Sequence, residues 1–172
     1  LIACDSSTSM ITSLTPSVSY AEVGILMGII LRQKCERVTL CLFDSTLKLP
    51  QVPKGPVLES VNRIVKRYVT GGSTEGYLVA KYAQESGYNY NKVFVFTDMQ
   101  LWDSTSRSMY SWQQHDSRFE PLWQAYRKDH PEATLSIINL AGYSTTFSDL
   151  RQKGVYLVAG WSDKLFDMLD SI

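Results

Sequence analysis

Cysteine, histidine and net charge are all scarce in this chain of 172 residues, and each scarcity removes a class of function. Three cysteines and two histidines, with no Cys-x-x-Cys pair, give no basis for a structural zinc site. Cys4 and Cys41 sit inside apolar, strand-like runs and Cys35 ends an apolar helical run. That odd count in such places fits buried, reduced thiols better than a disulfide framework. His115 and His130 lie in separate polar segments without metal-ligand spacing and read as surface residues. Lys+Arg and Asp+Glu each total 17, so the formal charge is zero and the basic excess of a nucleic-acid module is missing. The local cluster Arg63, Lys66 and Arg67 reads as the solvated face of a helix. No apolar run reaches the length of a membrane span, so no membrane role is expected. No Gly-x-Ser-x-Gly elbow surrounds any serine, and Gly71-Gly72 lacks the Lys-Ser/Thr ending of a phosphate loop.

What remains is an ordinary globular balance, 44% hydrophobic and 20% charged, with enough apolar residues for one sizeable core. Residues 1–172 read as a single domain, with no internal repeat, linker or low-complexity segment. The chain begins directly inside the strand-like run Leu1-Ile2-Ala3-Cys4, so a domain excised from a longer protein is expected. Strands are predicted at Leu1–Cys4, Val38–Phe43, Val93–Phe96, Thr134–Leu140 and Val155–Val158, with a short edge strand at Thr46–Leu49 broken by Pro50 and Pro53. Helices are predicted at Tyr20–Gln33, Val57–Val69, Glu75–Glu85 (with Thr74 as N-cap), Arg118–Lys128 and Asp163–Leu169. The alternation of strand and helix predicts an α/β fold: a doubly wound, mainly parallel central sheet with helices on both faces and one short antiparallel edge strand. Ligands of such folds sit beyond the carboxyl ends of the strands, at a switch in strand order.

Three loops that this fold would gather on one edge supply oxygen atoms. Asp5-Ser6-Ser7-Thr8-Ser9 follows the first strand, Gly71-Gly72-Ser73-Thr74 precedes a helix, and Thr97-Asp98 follows the continuous apolar run Val93–Phe96. Carboxylates and hydroxyls without sulfur or imidazole suit a hard cation, Mg²⁺ before Zn²⁺. Taken singly, Asp-Ser-Ser-Thr-Ser is an ordinary turn sequence and Thr74 an ordinary cap; together, in this order, they form a candidate metal site.

The Asp-x-Ser-x-Ser sequence, the Gly-Gly-x-Thr loop and the Thr-Asp pair resemble the metal-ion-dependent adhesion site (MIDAS) of von Willebrand factor A domains. The resemblance covers nearly the whole chain. It implies that Asp5, Ser7, Ser9, Thr74 and Asp98 surround one divalent ion, Mg²⁺ or another hard cation such as Mn²⁺ or Ca²⁺. Ser73 replaces Thr74 if the second loop is aligned one residue differently, and Glu75 adds a carboxylate of unassigned role. The phrases TDMQLWD (Thr97–Asp103), INLAGY (Ile138–Tyr143) and GVYLVAGWSDKLFDML (Gly154–Leu169) are similar to the carboxyl-terminal A domain of Ro ribonucleoprotein (TROVE)-type proteins.

That resemblance implies a cytoplasmic, non-enzymatic, metal-binding protein-interaction domain of an RNA-associated protein. Its partner would be another protein or an adjoining domain donating a carboxylate to the metal, with RNA bound only through the parent protein. Trp102, Tyr110 and Trp112 could stack on bases, although such aromatics more often pin a loop to the domain body. Two alternatives stand beside this expectation: a Mg²⁺-dependent phosphohydrolase-like enzyme using Asp5 as nucleophile, and a purely structural A domain without metal. The enzyme is disfavoured because Ser7 occupies the place where a second, general-acid carboxylate is needed.

Overall fold

Ile2–Asp5 (β1) is buried at all four positions, as a strand covered on both faces must be. The structure, a computed structural model, describes residues 1–98, 118–142, 153–162 and 164–167. After β1 come a 3₁₀ turn at Ser9–Ile11, the small antiparallel pair β2 (Ser13–Thr15) and β3 (Val18–Ser19), and helix α1 (Tyr20–Gln33). Strands β4 (Leu40–Phe43) and β5 (Leu47–Lys48) lead to α2 (Val57–Tyr68) and α3 (Tyr77–Glu85). Then follow β6 (Lys92–Thr97), α4 (Phe119–Asp129), β7 (Thr134–Asn139) and β8 (Val155–Ala159).

Among the described residues, six strands form one sheet in the order β5-β4-β1-β6-β7-β8, parallel except for the antiparallel edge strand β5. This is the doubly wound architecture that the strand and helix alternation predicts. Successive side chains along each strand enter opposite cores. Ile2, Cys4, Leu40, Leu42, Phe94 and Phe96 pack with α1 and α2, whereas Ala3, Cys41, Phe43, Val93 and Val95 pack with α3 and α4. Chain order places β4 on one side of β1 and β6 on the other, so the winding reverses direction at β1. The loop after β1 therefore opens at the topological switch point.

Helix α1 keeps its predicted bounds and starts at a capping box: Ser19 Oγ accepts from the Glu22 amide, and the Glu22 carboxylate accepts from the Ser19 amide. The helix predicted at Glu75–Glu85 begins instead at Tyr77, with Gly76 as N-cap and no side-chain cap bond. The Glu75 amide is bonded to the Asp44 carbonyl, so Thr74 lies in the loop before the helix rather than at its cap. Of the closing helix, residues 165–167 are helical. Tyr143, His115 and the aromatic stretch containing Trp102, Tyr110 and Trp112 lie outside the described residues. All three cysteines are free thiols, and no helix among the described residues is long and apolar enough to cross a membrane.

Candidate metal centre

The centre is assembled where β1 and β6 run out. Cys4 lies opposite Phe96 in the parallel ladder, so Asp5 and Thr97 emerge side by side at the carboxyl edge. Thr97 Oγ1 donates to Asp5 Oδ2 at 2.7 Å, a bond across 92 residues of sequence. The Ser7 amide donates to Asp5 Oδ1 at 2.9 Å, an Asx turn that folds the first loop back over the strand end. That turn brings the Ser7 and Ser9 hydroxyls to 3.2 Å from each other. Asp5, Ser7 and Asp98 are all essentially excluded from water.

Burial pushes the Asp5 carboxyl up to about 6, opposed by the hydrogen bonds from Ser7 and Thr97 and reinforced by the nearby Asp98 carboxylate. Two buried carboxylates are thus close enough to repel, and hydroxyls surround one of them. That all-oxygen donor set is the chemistry a hard divalent cation takes, so the residues fit such an ion. Among the described residues no three His, Cys, Asp or Glu side chains are grouped to hold a metal. The candidate set does not need them, because hydroxyls make up its remainder.

The second loop is tied to the first by its backbone. The Thr8 amide donates to the Gly72 carbonyl at 3.0 Å, and the Gly72 amide donates to Thr8 Oγ1 at 2.9 Å. Gly72 adopts φ +141°, and a Cβ there would meet Ser45 Oγ at 2.7 Å, so both backbone and space demand glycine. Beyond it, the two alternative ligands separate. Ser73 turns away toward Ser45 and Glu75, its hydroxyl lying 3.1 Å from each. Thr74 is buried. Glu75 also receives Arg118 at 3.3 Å, and the Arg118 guanidinium stacks 3.8 Å from the centre of the Tyr77 ring.

The residues predicted for the site divide accordingly. Asp5, Ser7, Ser9 and Asp98 come together at one strand edge, and Thr74 is buried in the adjoining loop. The predicted ligand set did not include Thr97, named only as part of the Thr-Asp pair, which holds Asp5, or Asp44 at the end of β4. Asp44 is buried and accepts from Ser6 Oγ at 3.1 Å and from Lys48 Nζ at 2.5 Å. The only sequence signal for it is the turn-forming run Asp44-Ser45-Thr46, where Asp44 Oδ1 accepts from the Thr46 amide at 3.0 Å. His130, expected at the surface, is half-buried, with its ring 4.4 Å from that of Tyr126.

No protein-family model and no curated protein matches the sequence. The fold is similar to that of the Deinococcus radiodurans Ro (RSR) protein, with a TM-score of 0.67 at 15% identity. That likeness covers 95% of this chain and 31% of the Deinococcus chain, so the protein spans about a third of that relative's length. It is also similar to an aerotolerance-related membrane protein from Bacteroides fragilis, with a TM-score of 0.56 at 11% identity over 98% of this chain and 94% of that one. At such identities the likeness concerns architecture: the chain has a von Willebrand factor A-like α/β fold.

Proposed function

We propose that this domain is a metal-dependent protein-interaction module and not an enzyme, with Asp5, Ser7, Ser9, Thr74 and Asp98 holding one Mg²⁺ or similar hard cation. The observation that carries this reading is the convergence of Asp5, the Ser7 and Ser9 hydroxyls and Asp98 at the switch point of the sheet. Thr74 is favoured over Ser73 because the Ser73 hydroxyl is already engaged by Ser45 and Glu75. Glu75 has one carboxylate oxygen on Ser73 and the other on Arg118.

When bound, such an ion supplies an electrophilic position that a carboxylate from a partner protein or adjoining domain can fill. The chain's own part is to hold the donors still. Thr97 and the Ser7 amide fix both Asp5 oxygens, and the Thr8–Gly72 bonds keep the second loop beside the first. A phosphohydrolase reading gains nothing from the geometry, since the position two residues after Asp5 carries the Ser7 hydroxyl. A place in a cytoplasmic, Ro-type RNA-associated protein is part of this proposal, supported by likeness in fold to the Deinococcus Ro protein.

The test is a calorimetric and thermal titration with MgCl₂. Binding only to the native state should raise stability by about 2.7 kcal/mol at a hundredfold excess over Kd. Asp5→Ala should abolish both the binding heat and the thermal shift. A metal response that survives Asp5→Ala would defeat the assignment.

A further inference from the structure

We propose that Asp44 and Lys48 are positioning residues that set the distance between the two liganding loops, so that metal affinity depends on a pair outside the ligand set. This inference rests on the metal-binding reading above. Asp44 stands at the end of β4, next to β1, and its bonds reach both loops. Its Oδ2 accepts from the hydroxyl of Ser6, the residue between Asp5 and Ser7. Its backbone carbonyl accepts from the amide of Glu75, the residue after Thr74, at 3.2 Å. Its neighbour Ser45 accepts from the Ser73 amide at 3.1 Å. One turn thus holds a residue adjacent to a proposed ligand in each loop.

Lys48 locks that turn. Its ammonium group has three donors, and three acceptors meet it: Asp44 Oδ2 at 2.5 Å, the Tyr68 carbonyl at 3.0 Å and Thr70 Oγ1 at 3.1 Å. Tyr68 is the last residue of α2, and Thr70 leads directly into Gly71-Gly72-Ser73-Thr74. The far end of the second loop is therefore fixed by Lys48 and its near end by Asp44. Both Asp44 oxygens are occupied, Oδ1 by the Thr46 amide and hydroxyl and Oδ2 by Ser6 and Lys48, so Asp44 acts through its neighbours. Desolvating such a pair consumes most of its attraction, so stability alone is a poor reason for it. Fixing geometry is the better-attested use, as with the outer-shell partners of metal ligands.

The experiment compares Mg²⁺ affinity by calorimetry, and metal-free melting, in wild type, Asp44→Asn, Lys48→Met, the double variant and Ser6→Ala. Breaking one partner should lower the melting temperature, and removing both should restore much of it. Affinity should not follow that recovery: Kd should stay weakened roughly ten- to a hundredfold in the double variant. Ser6→Ala, which removes only the hydroxyl linking loop one to Asp44, should weaken Kd severalfold, and it answers the question if the double variant fails to fold. Wild-type affinity in the double variant, or in Ser6→Ala when the double variant does not fold, overturns the positioning role and leaves the metal site standing. No Mg²⁺ binding by wild type overturns the metal reading and this inference with it.

Discussion

Asp5 is the residue on which the protonation of the site and its proposed metal binding meet. Its carboxyl is held at about 6 against 3.8 for an ordinary aspartate, because burial outweighs the bonds from Ser7 and Thr97. A raised folded-state value means that the native protein binds this proton more tightly than the unfolded chain. The associated stability is full below about pH 4 and is lost as pH rises through 6. In metal-free protein, Asp5→Asn should therefore gain on wild type between pH 4 and pH 7 by on the order of 3 kcal/mol, read as the difference of urea unfolding curves. An advantage that does not change with pH would show that burial does not raise the carboxyl above its unfolded value. Asp5, Ser7, Ser9 and Asp98 were legible in the sequence because each follows a recognisable strand, and the fold rule gathers such loops. Thr97 was marked only as part of the Thr-Asp pair, Asp44 only as a turn residue and Lys48 not at all, since the bonds that give them their roles reach up to 92 residues along the chain or follow no local pattern.

Among the elements, α1 shows most directly how close packing overrides propensity. Gly24 and Gly28 lie inside a fourteen-residue helix, where glycine is unfavourable by about 1 kcal/mol relative to alanine. The sheet gives the reason: a Cβ at Gly28 would lie 2.9 Å from Cys4 Sγ, 3.1 Å from Leu40 and 3.2 Å from Ile2, all buried. Gly28→Ala should lower stability despite its better propensity, because overpacking a core costs roughly 1–3 kcal/mol. Gly24→Ala, whose tightest contact is 3.3 Å from Leu140, should cost less. Equal or higher melting temperatures for Gly28→Ala would mean that β1 and α1 can separate freely. The long apolar helix and the buried strands were plain from periodicity. The pair β2 and β3 was not, being two short segments rich in serine and threonine with no apolar alternation to mark them.

For the molecule as a whole, charge balance carries its own expectation. With 17 cationic and 17 anionic side chains, phosphate neutralisation offers little net gain. The protein should bind single-stranded RNA weakly at physiological salt, as measured by fluorescence anisotropy; tight binding that falls steeply with added salt would contradict this. The doubly wound architecture was legible because strand and helix signals alternate regularly, whereas strand order was not, since no local pattern states which strands become neighbours. That order has a consequence for how the chain comes into being. The first strand is flanked by β4 and β6, and its partner residue for Ile2 on the β6 side is Phe94. During synthesis, the apolar segments Ile2–Cys4 and Leu40–Phe43 must wait, half-covered, until β6 has emerged. Sheets closed by such distant pairings fold slowly and expose sticky intermediates. The Asp5–Thr97 bond cannot exist before then either, so the ribosome must deliver more than half of the chain before the centre can be complete.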